Sequence, residues 1–505
     1  MKYSKKMKTK FIDIEAGKFI SIIHEKQAIE LGIFPLDRVE LTNLHTKKKI
    51  ITVVDTTDSM VKKEEIGLFQ DVRKKLGLRK KTEILVSPVS TPESVKYIKK
   101  KMDRNSLNEK EIKTIVEDIT SNHLSQIEAS AFVSAIYMQG LNLQETIFMT
   151  KALVDGGKNL KLNKKFIVDK HSIGGINGRA TMILVPIVAA NGLYIPKTSS
   201  RSITSAAGTA DSMEVLAKVN LSMKKIKKIV NRIGGVIAWG GGLDLAPGDD
   251  KIITIEHPLN LDPPGQVIAS VMAKKVSVGA KYLVIDIPVG ENTKVKTKEN
   301  AETMAKKFLE VAKKMGIKCE VLLTDGTNPN GPAFGAALEA KHAMEILEGK
   351  VFDNLAEKSC QLAGTLFELT GKTRKGKGYE KALEILQSGK ALKKMKEIIK
   401  AQGKKIDCSE KIKLSSKKIE FRSEKNGKIE RIDLKALKEI ARDSGAPVHK
   451  KAGLLLKVFE DDEIRKGQVL FEIYGENDRR LEIARQKALE DNPIKLGEVI
   501  IEKIK

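Results

Sequence analysis

The pattern of apolar and polar positions changes character several times along the chain. Up to about residue 86 the apolar residues fall in short β-branched runs, Phe11 to Ile14, Phe19 to Ile23, Arg38 to Leu41, Ile50 to Val54 and Glu83 to Val86, separated by charged or turn-forming stretches. That pattern predicts a β-rich domain over 1–86. Ser87-Pro88 and Thr91-Pro92 punctuate the chain there, and the spacing then turns helical.

Between 92 and 160 three capping boxes, Asn108 with Glu111, Ser125 with Glu128 and Asn142 with Glu145, each precede apolar residues at helical spacing, for example Ile112, Ile115, Val116 and Ile119. A short polar side chain and a glutamate three residues later satisfy the N–H groups that a helix start leaves unpaired. A helical lobe is expected over 92–160. From 161 to 345 apolar strand candidates at 166–169, 236–239, 282–287 and 319–323 alternate with helix candidates at 179–191, 263–278 and 300–315, as in an α/β core with buried strands. Helical segments at 335–348, 354–370 and 378–402 are expected to complete the helical lobe. A last α+β domain is expected over 411–505, with strands at 427–433 and 467–473 around a helix at 433–442. The fold class is therefore multidomain α/β.

A length of 505 residues suits three or four such domains. The first twenty residues lack a signal-peptide core and no run of about 18 uninterrupted apolar residues appears, so the expected location is the cytoplasm, away from membranes. Cys319, Cys360 and Cys408 are far apart and form no Cys-x-x-Cys pair, which points to neither a disulfide framework nor a zinc site. The net charge of +26 raises nucleic acid as a partner. The lysines are spread evenly among glutamates with few aromatics to stack on bases, so a small anionic substrate suits the charge better.

The candidate chemistry lies between 166 and 209. The run Phe166 to Asp169 ends at Lys170-His171-Ser172-Ile173-Gly174-Gly175-Ile176-Asn177-Gly178-Arg179, and a helix is expected to follow. Strand, glycine loop and helix start are what a bound oxyanion needs: close N–H groups, a positive helix end, and charge and a donor from Lys170 and Ser172. Pro196 to Thr209 packs hydroxyls around Arg201 and could hold a second anion. Taken singly, a Gly-Gly pair is often only a tight turn and a Ser/Thr run only a helix cap.

Together, Lys-His-Ser-x-Gly-Gly, Ser-x-Arg and Gly-Thr-x-Asp at this spacing resemble the thymidine and pyrimidine-nucleoside phosphorylase family. The likeness extends through Gly241 to Asp249, Ala269-Ser270 with Lys274-Lys275, Asp325 to Gly331, Gly335 to Glu339 and Lys466 to Gln468. It implies a helical lobe and an α/β lobe that close over substrates, a small α+β carboxy-terminal domain, and a homodimer or larger homo-oligomer. No metal or organic cofactor is implied. The β-rich front domain matches the branch that acts on nucleoside 5′-monophosphates: AMP, with CMP and UMP as alternatives, would react with inorganic phosphate to give the free base and ribose 1,5-bisphosphate.

By the same resemblance the nucleophilic phosphate falls to Lys170, Ser172, Thr181, Ser199 and Thr209. The nucleotide falls to Gly174, Ser200, Arg201, Ser202, Ile203, Thr204, Ser205, Thr209, Ser270 and Lys294, with Lys274 at the base. Asp262 is implied as proton donor, a role that asks for a carboxyl raised by an apolar setting; the same aspartate could simply cap the helix that begins with Pro263-Pro264. His171 is a candidate for orienting the sugar or balancing charge. The pyrimidine nucleoside enzymes carry a tyrosine and an arginine where this chain has Ile252 and Ile255, which weakens the alternative of a thymidine or uridine phosphorylase. An anthranilate phosphoribosyltransferase-like enzyme shares the general architecture but would need a diphosphate and magnesium.

Overall fold

A computed structural model describes residues 3–17, 19–174, 177–202 and 205–497. The chain divides into two compact units, Met1–Gly156 with Ala246–Ser270, and Gly157–Leu245 with Val271–Lys505.

In the first unit six strands, Lys5–Phe11, Ile20–His24, Arg38–Asn43, Lys49–Thr57, Glu65–Leu68 and Glu83–Pro88, form a closed barrel in the order first, fifth, second, fourth, third, sixth. Ile23, Val39, Leu41, Val54, Ile66 and Ile84 fill it, all fully buried. The opening strand is Lys5–Phe11 rather than the expected 11–14. Four of its seven residues are lysines, with Met7 and Thr9 buried between them, so its inward face carries little hydrophobic signal. Closure leaves no open sheet edge.

The barrel is followed by helices Ser94–Met102, Glu109–Ser121, Gln126–Gln139 and Leu143–Asp155. All three capping boxes are present with both reciprocal bonds. Glu145 also anchors a neighbouring helix, since its carboxylate accepts from Lys101 Nζ at 2.8 and 2.9 Å and from the Leu107 and Asn142 amides, both at 2.9 Å. Both side chains of the ion pair are buried.

The second unit holds a parallel sheet. Lys318–Asp325, Tyr282–Val289 and Val168–Ser172 pair in that order, and Ile195–Ser199 pairs with Gly235–Trp239. A parallel bridge between Ile167 and Tyr194 joins the two parts. Ile195–Ser199 lies in what the sequence suggested was a loop. Lys318–Asp325, expected as a buried strand, is an edge strand with alternate residues exposed, because only Tyr282–Val289 flanks it.

Helix Ala180–Ala190 is apolar throughout, with Ala180 to Ala189 all buried. A helix with no polar face must be covered on every side. Helices Ala336–Leu347, Asn354–Leu369, Gly378–Gln387 and Lys390–Ala401 supply that cover. This corrects the expectation that 335–402 would return to the helical lobe. The segment at 378–402 is two helices, broken at Gly389 with φ +74°.

In the carboxy-terminal segment Ala333–Phe334, Gly453–Leu456, Val469–Tyr474 and Lys418–Arg422 form one sheet, and Glu463–Ile464, Gly427–Ile432 and Ile494–Leu496 another. Helices Leu434–Asp443 and Asp478–Asp491 accompany them. Ala206 enters this segment's apolar cluster, which ties it to the second candidate loop. Among the described residues no helix is long and apolar enough to cross a membrane.

The Lys101–Glu145 pair gives a direct test of the helical packing. Lys101→Met leaves a buried carboxylate without its cation, so unfolding should require about 3 kcal/mol less in denaturant titration. A loss below about 1 kcal/mol would show that water reaches the pair.

Candidate functional site

The motif loops all leave the parallel sheet at the carboxyl ends of its strands: Ser172 to Arg179, Ser199 to Gly208, Gly240 to Ala246, Gly290 and Gly326. That end of an open α/β sheet is where ligands bind.

Strand Val168–Ser172 carries two sets of groups on opposite faces, as the two-residue period of a strand requires. On one face, Lys170 Nζ touches Ser172 Oγ and lies 3.9 Å from Asp286 Oδ2. Asp286 is buried and collects three more groups: Ser172 Oγ at 2.6 Å, Thr324 Oγ1 at 2.6 Å and Lys358 Nζ at 3.2 Å. On the other face, buried Asp169 accepts from Lys275 Nζ at 2.7 Å and faces Lys197 Nζ at 3.5 Å. Lys197 also donates to the Lys170 carbonyl at 2.8 Å.

Four lysines therefore share two carboxylates. Burial, reinforced by Lys358 and Arg179 and only partly offset by Asp286, lowers Lys170 to about 8. Burial likewise lowers Lys197 to about 7, with Asp169 opposing and Lys275 assisting. Burial would raise both aspartates, but the lysines outweigh it and hold each below the ordinary carboxylate range. His171 is held well below its usual value by burial and then by Lys275, Lys197, Lys170 and Lys274. That direction favours the uncharged ring, which can donate or accept a hydrogen bond. The cluster carries up to two positive charges in excess, which matches a dianion.

The glycine loop is shaped by close contacts. Gly174 has φ +62°, and a Cβ there would lie 2.5 Å from Lys294 Cγ. Exposed Lys294 thus lays its stem against the glycine loop. At Gly178, φ +80°, a Cβ would meet the Asn330 carbonyl at 2.2 Å. Asn177 fastens the two loops, donating to the Gly331 and Ala333 carbonyls at 2.7 and 3.1 Å and accepting from the Asn330 amide at 3.0 Å. Arg179 pairs with buried Glu339, which also accepts from Ser212 Oγ at 3.1 Å. Thr181 sits in the first turn of helix Ala180–Ala190.

In the second loop, Arg201 binds Glu214 through both terminal nitrogens, at 2.7 and 2.6 Å, reaches Asp211 at 3.1 Å and lies over the Trp239 ring. Asp211 Oδ2 accepts from the Ser202 and Gly208 amides at 2.7 and 3.0 Å. A Cβ on Gly208 would strike the backbone of Ser200 to Ser202 at 2.6 to 2.7 Å, so the loop closes on that glycine. Ser205 Oγ is 3.0 Å from Ser202 Oγ. Ser200 is exposed, while Ser199 and Thr209 are partly buried, Thr209 opening helix Thr209–Leu216. Ile203 and Thr204, like Gly175 and Ile176, lie outside the described residues.

Asp262 and Ser270 belong to the first unit. Asp262 is exposed, between helices Pro247–Leu259 and Pro264–Ser277, so the apolar setting expected for it is not provided there. Ser270 Oγ donates to Asp249 Oδ2 at 2.8 Å, beside Gln266 on Oδ1 at 3.0 Å. Ile252 is fully buried and Ile255 partly so.

Asp286, Lys197, Lys358 and Asn177 were not singled out from sequence. Asp286 interrupts an apolar run, and no local signal marks it as the hub for groups 38 to 116 positions away. Its replacement is informative: Asp286→Asn leaves Lys170 and Lys358 facing each other without their carboxylate, so unfolding should require about 3 kcal/mol less in denaturant titration. An unchanged midpoint would show that Asp286 does not hold the cluster.

Comparison with known proteins identifies the family. Residues 95–157 match the helical bundle domain, and 164–243 the a/b domain, of the glycosyl transferase family. A protein of Methanococcus maripaludis named AMP phosphorylase is 42% identical over 501 residues, 99% of each chain. One of Pyrococcus furiosus with the same name is 44% identical over 500 residues, 98% of this chain and 99% of the relative. AMP phosphorylase 1 of Archaeoglobus fulgidus is 41% identical over 97% of each chain. The crystal structure of anthranilate phosphoribosyltransferase from Thermus thermophilus shares the fold, with a TM-score of 0.53 at 18% identity, over 61% of this chain and 99% of that one. At more than 40% identity along nearly its whole length, this chain belongs to the AMP phosphorylase family.

Proposed function

We propose that the protein catalyses phosphorolysis of AMP, with CMP and UMP as further substrates, to the free base and ribose 1,5-bisphosphate. The observation that carries this reading is the buried excess of lysine charge at the glycine loop, which suits a phosphate dianion. A second arginine-centred loop in the same unit suits a 5′-phosphate. The full-length likeness to proteins named AMP phosphorylase supports the same substrate.

In the reaction a phosphate oxygen forms a bond to C1′ of the ribose, the C1′–N bond breaks, and the departing base takes a proton. Lys170 and Ser172 hold the attacking phosphate, their positions set by Asp286. Gly174, Lys294 and Thr209 with the loop Ser200 to Ser205 hold the nucleotide, Ser270 meets the base and Asp262 gives the proton. Most of the rate gain then comes from positioning and charge. Reading of the 5′-phosphate contributes binding energy away from the reacting bond. The working protein is a homodimer or larger homo-oligomer in the cytoplasm. A pyrimidine nucleoside phosphorylase is disfavoured by the amino-terminal barrel and by Ile252 and Ile255, which stand where those enzymes carry a tyrosine and an arginine.

Phosphate-dependent release of base from AMP, adenosine and thymidine, compared without metal, tests the assignment. AMP should be turned over far better than either nucleoside; better turnover of thymidine would contradict it. Asp262→Asn should lower kcat on AMP by about 10²- to 10⁴-fold with little change in KM. Full activity in that variant would place the proton donor elsewhere.

A further inference from the structure

The second loop is held from behind by the carboxy-terminal segment. Lys450 Nζ donates to Asp211 Oδ1 at 2.8 Å and lies 3.4 Å from Glu214 Oε2. These are the two carboxylates that hold Arg201. Arg442 Nη1 donates to the Ser205 carbonyl at 3.1 Å. Ala206, the next residue, is buried in the apolar cluster of the carboxy-terminal segment with Leu437, Ile440 and Ala441. The Lys450 backbone is itself fixed, its carbonyl accepting from the Ala337 amide at 2.9 Å.

Charge decides what this arrangement does. Asp211 and Glu214 against Arg201 alone would leave one negative charge behind the loop, which repels a phosphate. Lys450 brings the sum to zero. Burial pushes the Asp211 carboxyl up, but Lys450 and the Ser202 and Gly208 amides outweigh it and keep it ionised. Lys450 thus lets Asp211 hold the loop backbone without presenting its charge to the ligand.

We propose that Lys450 and Arg442 are positioning residues for recognition of the substrate's 5′-phosphate, so that the carboxy-terminal segment sets the preference for nucleotide over nucleoside. The inference rests on the reading of the protein as a nucleoside 5′-monophosphate phosphorylase. Neither residue need touch the ligand: Lys450 sets the sign of the potential behind Arg201, and Arg442 sets the path of the chain at Ser205.

The test compares the full-length wild type with Lys450→Met, Lys450→Arg and Arg442→Met, measuring kcat and KM for AMP, adenosine and inorganic phosphate. Lys450→Met should raise KM for AMP about tenfold or more, a partly exposed charge being lost. It should move KM for inorganic phosphate less than about twofold, so the AMP-to-adenosine ratio of kcat/KM collapses. Lys450→Arg should restore most of the ratio, and Arg442→Met should lower it in the same direction. An unchanged ratio in Lys450→Met and Arg442→Met would overturn the proposal. So would a parallel fall on AMP and adenosine with a lowered melting temperature, the mark of a merely structural role. If Lys450→Met does not fold, Lys450→Arg and Arg442→Met decide the matter on the same ratio. A wild type that prefers adenosine to AMP would refute the functional reading itself, and the inference with it.

Discussion

Burying more lysines than carboxylates is the constraint on which this structure depends. Lys170, Lys197, Lys275 and Lys358 converge on Asp169 and Asp286 at the carboxyl ends of the parallel strands. Such charge is costly in a protein interior, and the depressed values of Lys170 and Lys197 express that cost. The arrangement persists because the scaffold is rigid: a sheet fixes the two faces of Val168–Ser172, and the fully covered helix Ala180–Ala190 follows the glycine loop. A dianion bound as proposed would relieve the repulsion of like charges instead of having to organise them.

The Arg201 loop solves a different problem with the same residue types. Its charges are partly exposed and nearly balanced, and its shape comes from hydrogen bonds to Asp211 and from Gly208. A phosphate that reacts needs a strong local potential. One that only anchors the substrate needs a fixed position more than a deep one, and the carboxy-terminal segment supplies that position through Lys450, Arg442 and the buried Ala206.

Local rules made much of this legible. The capping boxes at Asn108, Ser125 and Asn142 need only three neighbouring residues, and each is formed. The helix after Arg179 follows from an apolar run and a glycine loop, whereas the strand expected at 166–169 runs Val168–Ser172 and so carries Lys170 and Ser172 itself. What escaped depends on distant partners. Lys197 stood in a Ser/Thr-rich stretch that reads as loop, yet it lies on a strand because Gly235–Trp239 pairs beside it. The helices between 336 and 401 carry ordinary amphipathic patterns, and nothing in those patterns says that their apolar faces meet Ala180–Ala190. Helix Asp478–Asp491 buries only Leu481, Ala484 and Ala488 among charges, too thin a stripe to stand out. The apolar environment expected of Asp262 is a tertiary property, and the first unit leaves that carboxyl exposed.

The central claim, a buried cationic cluster kept partly deprotonated until phosphate arrives, is most directly tested by counting protons on binding. Calorimetric titration with inorganic phosphate at pH 8, repeated in buffers of different ionisation enthalpy, measures that number. Phosphate is already almost wholly dianionic there, so protons taken up go to the protein. The account predicts net uptake of a substantial fraction of a proton per phosphate bound, because Lys170, at about 8, and Lys197, at about 7, regain charge beside the anion. Binding with no uptake, or with release, would mean that the lysines are fully charged beforehand and that the cluster does not work as described.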